Sequence, residues 1–433
     1  MKWKMLESIP LTLQDLKYNQ SALAIWILSA VICVGRSHHH AGHGQVEEQA
    51  SQDTASDPVA HTLSLVASAN KQFTFNLYKK LAADAELQGK NIFFSPKSVS
   101  VALAALSVGA REETHRQLFS GLGFNTSLLT QANVDTAFRS ILERSNKMSE
   151  ATSEGTAVFV DNRFKAHPDF LETLKQSYLA EGFNVDFTKN TDSANTINQY
   201  VSEKTKGKID KLVEHLDPNT VMYLISYIYF KGMWQTPFES AHTREDTFTV
   251  AENNKVPVQM MNMEDNVDIY YDQAINTSVL HLPFNSSYSM LLLLPGDMAE
   301  LENSICPGHV TKWLKWMKSR RYDIYVPKFS IKTSYKLNSV LQQMGMTDMF
   351  GDRADLSGIS EGQKLAVSEV VHQATLDVDE AGATASAATG IGITLLSFRH
   401  IPVLKFNRPF MVVITERTTQ EILFLGKILN PNN

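Results

Sequence analysis

Cysteine is nearly absent: the 433-residue chain holds only Cys33 and Cys306. A small fold stapled by several disulfides is therefore excluded, and stability has to come from burial. With 43% hydrophobic residues, the chain can build a large core in one big domain or two ordinary ones. Removal of Cys33 with a leader would leave Cys306 as a lone thiol with no intrachain disulfide. An excess of basic charge is also lacking. The net charge of −6 gives no case for a nucleic-acid partner. The apolar run Ala22–Val34 has thirteen residues, short of the roughly twenty that a membrane-spanning helix needs. No His-Glu-x-x-His, phosphate-binding glycine loop or paired metal motif is present, so no cofactor and no metal are expected. Gly358-Ile-Ser360-Glu-Gly362 has the pattern of a nucleophile elbow, which requires a strand before it and a helix after it. Here a polar run precedes it and a strand pattern follows, so a surface turn is expected and the chain is not read as an enzyme.

A further lack marks the C-terminal quarter. From Ala381 to Phe398 there is no charged side chain, and no proline occurs until Pro402. Disordered segments are usually charged and proline-rich, and ordered connections average about 4–6 residues. Side chains alternate across a strand, so Ala383, Ala385, Ala387 and Thr389 would share one face, and all four are small. Such a segment fits between two existing strands without overpacking the core beneath.

Further motifs accompany this run: Asn91-Ile-Phe-Phe-Ser-Pro-Lys-Ser98, Tyr229-Phe-Lys-Gly-Met-Trp234 with Pro237-Phe238, Ala354-Asp-Leu-Ser-Gly358, Phe406-Asn-Arg-Pro-Phe410 and Phe424-Leu-Gly-Lys-Ile428. In this order and spacing the chain resembles the serpins, suicide inhibitors of serine proteases, and within them the plasma antitrypsin, antichymotrypsin and kallistatin group. The resemblance implies an α+β fold of three β-sheets with about nine helices and an exposed, insertable reactive-centre loop. It implies a hinge at Glu380, Gly382, Ala383, Thr384, Ala385, Ser386, Ala387, Ala388 and Thr389. Ala383 stands where Thr or Ser is usual and Thr384 where Glu is common; neither is large or proline, so insertion should survive.

Counting Glu380 as the first, Leu396 is the seventeenth residue, where the family places the scissile bond, here Leu396–Ser397. A leucine there suits chymotrypsin-like proteases with an apolar primary pocket. The implied partner is such a protease, in a covalent complex. Arg399, three residues later, supports a narrower rival, a trypsin- or thrombin-type inhibitor. The broader alternative is a non-inhibitory hormone carrier. Ser95, Ser98, Ser226, Trp234 and His372 match the region where the central sheet opens, with Ser226 in a place where much of the family has Asn. A satisfied core histidine is expected for His372 rather than a catalytic one.

The remaining stretches are read in order. Residues 1–35, with lysines ahead of the apolar run and Gly35 as the small cleavage-site residue, read as a secretory signal with a long N-terminal region, hence a secreted chain. Residues 36–57, with His38–His40 and His43, read as a disordered tail, and 58–433 as the serpin domain, its loop spanning about 380–403. Asn125, Asn276 and Asn285 head glycosylation sequons. Asn133–Met148, Pro168–Leu179 and Ala194–Lys204 are expected as helices, and Val221–Tyr229 and Leu365–Val378 as strands. Lys312, Lys315, Lys318, Arg320 and Arg321 form the one basic cluster. At helical spacing Lys312, Lys315 and the stem of Lys318 share a side while Trp313, Trp316 and Met317 pack inward, a candidate heparin site set against an ordinary solvated face. No membrane partner is expected, and the chain is read as a monomer.

Overall fold

The structure is a computed structural model that describes residues 58–147, 151–360, 364–381 and 401–433. Among them are nine helices: α1 (Pro58–Ala83), α2 (Pro96–Gly109), α3 (Glu112–Gly121), α4 (Gln131–Lys147), α5 (Pro168–Tyr178), α6 (Asn190–Lys204), α7 (Met298–Ser304), α8 (Pro307–Trp316) and α9 (Asn338–Gln343). The larger sheet runs in the order β1 (Ile92–Phe94), β14 (Ile422–Ile428), β13 (Phe410–Glu416), β8 (Tyr288–Pro295), β7 (Thr277–Pro283), β6 (Asn254–Asp272), β9 (Lys318–Pro327) and β12 (Val403–Lys405). β5 (Arg244–Ala251) also pairs with β6. The smaller sheet runs β10 (Phe329–Lys336), β11 (Glu369–Val378), β4 (Met222–Phe230), β2 (Thr152–Asp161), β3 (Glu181–Val185). The three expected sheets thus come as two hydrogen-bonded bodies, because the nineteen-residue β6 pairs with β5 at its start and with β7 at its end.

β4 is buried at all nine positions, as its unbroken apolar and aromatic run requires of a strand covered on both faces. Beneath it lies α2. Ser95 caps this helix, its Oγ accepting from the Ser98 N–H at 3.2 Å, and Pro96 takes the first position, where a missing N–H is harmless. Thirteen of its fourteen residues are buried, so α2 has no solvent stripe and serves as the floor of the smaller sheet. The other face of that sheet is covered by Ile197 and Val201 of α6 and by Ile209, Leu212 and Val213, which pack on Tyr223, Tyr227 and Val371.

β11 begins at Glu369, four residues later than the expected Leu365. Ser360 follows a turn at 357–359 with no strand directly before it, and it is buried rather than on the surface as expected. No helix among the described residues is long and apolar enough to cross a membrane. Cys306 is buried and is not a free thiol, in contrast to the lone thiol anticipated above.

Candidate functional site

The smaller sheet contains an unusual seam. β11 pairs with β4 in parallel at eight positions, from Glu369 opposite Tyr223 to Leu376 opposite Phe230. Its other neighbour, β10, is antiparallel, as is the β4–β2 pair. The chain leaves the end of β11 at residues 379–381 and is described again from Ile401, just before β12, which runs parallel to β9. A strand that turned back from β11 into the seam would run antiparallel to both neighbours. It would exchange one parallel ladder, the slightly weaker kind, for two antiparallel ones.

Three residues fasten the seam from below. His372 is fully buried, its Nε2 accepting from the Ser95 N–H at 2.9 Å. The ring proton is therefore on Nδ1, which donates to Ser226 Oγ at 2.7 Å across the seam. Burial pushes the imidazole pKa down to about 3, so the ring is neutral at physiological pH. With both nitrogens engaged and no access to solvent, His372 is a structural clasp, as expected. Ser226, despite being shorter than asparagine, reaches it. Ser98 lies one turn on, its Oγ 3.4 Å from Glu154 Oε2.

The root of the loop is tied down at the top of the seam. Trp234 is buried, stacked on Phe284 at 4.5 Å and set edge-on to Phe238. Its backbone N–H donates to the Ala381 carbonyl at 2.9 Å and its indole Nε1–H to the Asp379 carbonyl at 2.7 Å. Lys231 pairs with Asp379 at 2.7 Å. Glu380 accepts from Thr243 Oγ1 at 2.9 Å and from Lys328 Nζ at 2.8 Å. Burial would raise the Glu380 carboxyl, but these bonds, Lys328 foremost, hold it below the usual range. Thr243, Lys231 and Lys328 were not anticipated. Lys328 and Glu380 stand 52 positions apart in the sequence, and no local pattern joins them. Gly382, Ala383, Thr384, Ala385, Ser386, Ala387, Ala388, Thr389, Leu396, Ser397 and Arg399 lie outside the described residues.

The basic cluster does not form the single face expected of it. Lys312 Nζ binds both carboxylate oxygens of buried Asp272, at 3.0 and 2.9 Å, and Trp313 Nε1 donates to the same carboxylate. α8 ends at Trp316, which is 57% exposed rather than packed inward. Met317 turns extended and β9 follows. Lys315, Lys318, Arg320 and Arg321 are exposed, and Arg321 pairs with Glu264 at 2.7 Å. Asn125, Asn276 and Asn285 are exposed.

Comparison with known proteins agrees with this geometry. The chain matches the family described as Serpin (serine protease inhibitor) over residues 68–431. It is 41% identical to Serpin A3-5 of Bos taurus across 378 residues, covering 86% of this chain and 90% of that one. It is 38% identical to alpha-1-antichymotrypsin of Pongo abelii, covering 89% and 92%. The crystal structure of human thyroxine-binding globulin with thyroxine superposes with a TM-score of 0.80 at 34% identity, covering 86% of this chain and all of that one. The chain therefore belongs to the serpin family, with Serpin A3-5 and alpha-1-antichymotrypsin among its relatives.

Proposed function

We propose that the chain is a secreted suicide inhibitor of chymotrypsin-like serine proteases. The protease serine would attack the Leu396 carbonyl carbon and form an ester, and the Leu396–Ser397 peptide bond would break, Ser397 leaving as the protonated amine. The freed loop would then enter the β4–β11 seam and drag the tethered enzyme with it. Loss of one oxyanion-hole donor slows acyl transfer about 10²–10³-fold, so a distorted protease would hydrolyse its ester very slowly. Ladder bonds gained and chain entropy lost are of similar size. The drive must therefore include strain released from the intact state.

The observation that carries this reading is the parallel β4–β11 ladder at the root of a small-residue, uncharged run. A second reading rests on the likeness to thyroxine-binding globulin: a carrier that keeps the fold without trapping proteases. Incubation with chymotrypsin followed by a denaturing gel separates the two. A covalent, SDS-resistant complex supports trapping, and clean cleavage alone defeats it. The mass of the released C-terminal peptide distinguishes Leu396 from Arg399 as the residue cut. Ala385→Arg is expected to convert inhibitor into substrate. Glycans on Asn125, Asn276 and Asn285, a removable signal over 1–35 and a monomeric state belong to the same proposal. A sulfated polysaccharide such as heparin would be met by Lys315, Lys318 and Arg320 rather than by Lys312.

A further inference from the structure

α2 touches both flanks of the seam. On one side the backbone of Ser95 is bonded to His372 of β11. On the other, Lys97 Nζ is paired with Glu154 of β2 at 2.8 Å. Lys97 is an odd residue for its place. It lies in the first turn of a buried helix, where the helix dipole disfavours a cation, and it is 3% exposed. Burial alone would lower its ammonium pKa, but Glu154 first, and then Glu421, hold it above the ordinary value.

The ammonium also donates to Ser145 Oγ at 2.6 Å. It also borders a water-sized void of about 10 Å³, lined by Lys97, Arg144, Ser145, Tyr288, Glu416 and Glu421. Glu416 is 6% exposed, and its Oε1 has no hydrogen-bond partner; its Oε2 accepts from Thr419 N–H and Oγ1. Glu416, with one unpaired carboxylate oxygen, thus lines the same small space as a buried ammonium that is bonded elsewhere, with the exposed Arg144 as the other cation at its edge.

Admitting one strand requires the two flanks to part by about 4.7–4.9 Å. α2 cannot follow both. The Ser95–His372 and Lys97–Glu154 attachments therefore cannot both survive opening. The geometry points to Lys97 as a two-position latch: it holds Glu154, and so β2 and β4, while the seam is closed, and passes to Glu416 and Glu421 when β2 slides away. This deepens, and rests on, the loop-insertion reading above. The exchange moves one ammonium between carboxylates of the same molecule, so the interior gains or loses no charge. A lysine suits this task, being a compact charge on a flexible stem.

The test is the uptake of a synthetic peptide with the sequence of residues 382–393 by the intact protein, followed as a mobility shift on native gels. Glu154→Gln weakens the closed position and is expected to speed uptake about tenfold, the scale of one charge-assisted hydrogen bond. Glu416→Gln weakens the open position and is expected to slow uptake by a similar factor. A purely structural role for this cluster would move both variants in the same direction. Should Glu154→Gln fail to fold, the doubly neutral Lys97→Met/Glu154→Gln leaves no orphaned charge from the pair. It is expected to take up peptide quickly and to be indifferent to Glu416→Gln. Shifts of equal sign, or a Glu416→Gln effect that persists without Lys97, overturn the latch alone. A wild type that takes up no peptide and gains no heat resistance on nicking overturns the insertion reading and the latch with it.

Discussion

His372 offers a measurement in which pH isolates one buried group. Its folded pKa is about 3, against about 6.5 for an unperturbed histidine. Below pH 6.5 the unfolded chain therefore binds a proton that the folded chain refuses. Stability contributed by the neutral ring is fully present above that value and is lost as pH falls. The loss approaches about 1.4 kcal/mol per pH unit once pH is well below 6.5, or about 2 kcal/mol between pH 6.5 and 4.5. The perturbation is His372→Gln, which removes the titrating group and leaves the Ser95 N–H and Ser226 Oγ poorly matched. Each orphaned partner costs about 1–3 kcal/mol, so the wild type should lead the variant by a few kcal/mol at pH 7.5. Urea unfolding of both proteins at pH 7.5, 6.5, 5.5 and 4.5 cancels every titration they share. The lead should shrink by about 2 kcal/mol on going from pH 6.5 to 4.5. A lead that stays constant with pH would refute a buried, neutral clasp.

Other perturbations probe the root of the loop and the outer face of the seam. Trp234→Phe keeps the ring stacked on Phe284 but deletes the Nε1–H bond to Asp379. It should cost about 0.5–1.5 kcal/mol in urea unfolding and speed spontaneous loss of inhibitory activity at 50 °C. Glu380→Gln leaves Lys328 without its carboxylate. Because Lys328 is 44% exposed, the expected loss is no more than about 1 kcal/mol, and it should diminish further in concentrated salt. Gln373→Leu removes a fully buried amide whose Nε2 and Oε1 both lack partners. It should stabilise the intact protein by about 1–3 kcal/mol and raise the number of molecules cleaved per protease trapped, as counted by titration against chymotrypsin.

Much of the seam was legible because it is written locally. Ser95-Pro96 announces the start of α2, and the apolar run after Val221 announces a strand buried on both faces. The small-residue alternation after Glu380 and the spaced motifs carried the family. The ion pairs around the seam and the loop root were illegible because their partners are distant in sequence. Lys97 meets Glu154 across 57 positions and Lys231 meets Asp379 across 148. The basic cluster failed for a different reason. Helical spacing was extended past Trp316, but the backbone leaves the helix at Met317, so one presumed face becomes the end of a helix and the start of a strand. Lys312 was then drawn inward by Asp272, a carboxylate 40 positions earlier that no charge count on α8 includes.

Strand alternation places the bonded and the unsatisfied polar groups of β11 on opposite faces of the sheet. On β11, His372 shares its face with Ala374 and Leu376, which pack into the main β-core. There the ring's two hydrogen bonds fasten helix, strand and neighbour together. Gln373 and Thr375 point to the other face, the one on which Val371 packs under Ile209 and Leu212. Their polar atoms are buried there without partners, and each such group costs about 1–3 kcal/mol. The closed seam is thus held by a few specific bonds on one face and penalised on the other. On the loop-insertion proposal, a strand entering between β4 and β11 would break the His372–Ser226 bond of the first face but would bring fresh backbone beside the unsatisfied groups of the second. A sheet apolar on both faces would be more stable closed and would have less to gain from a new strand. If the proposed insertion takes place, the buried polar residues of β11 would lower its cost.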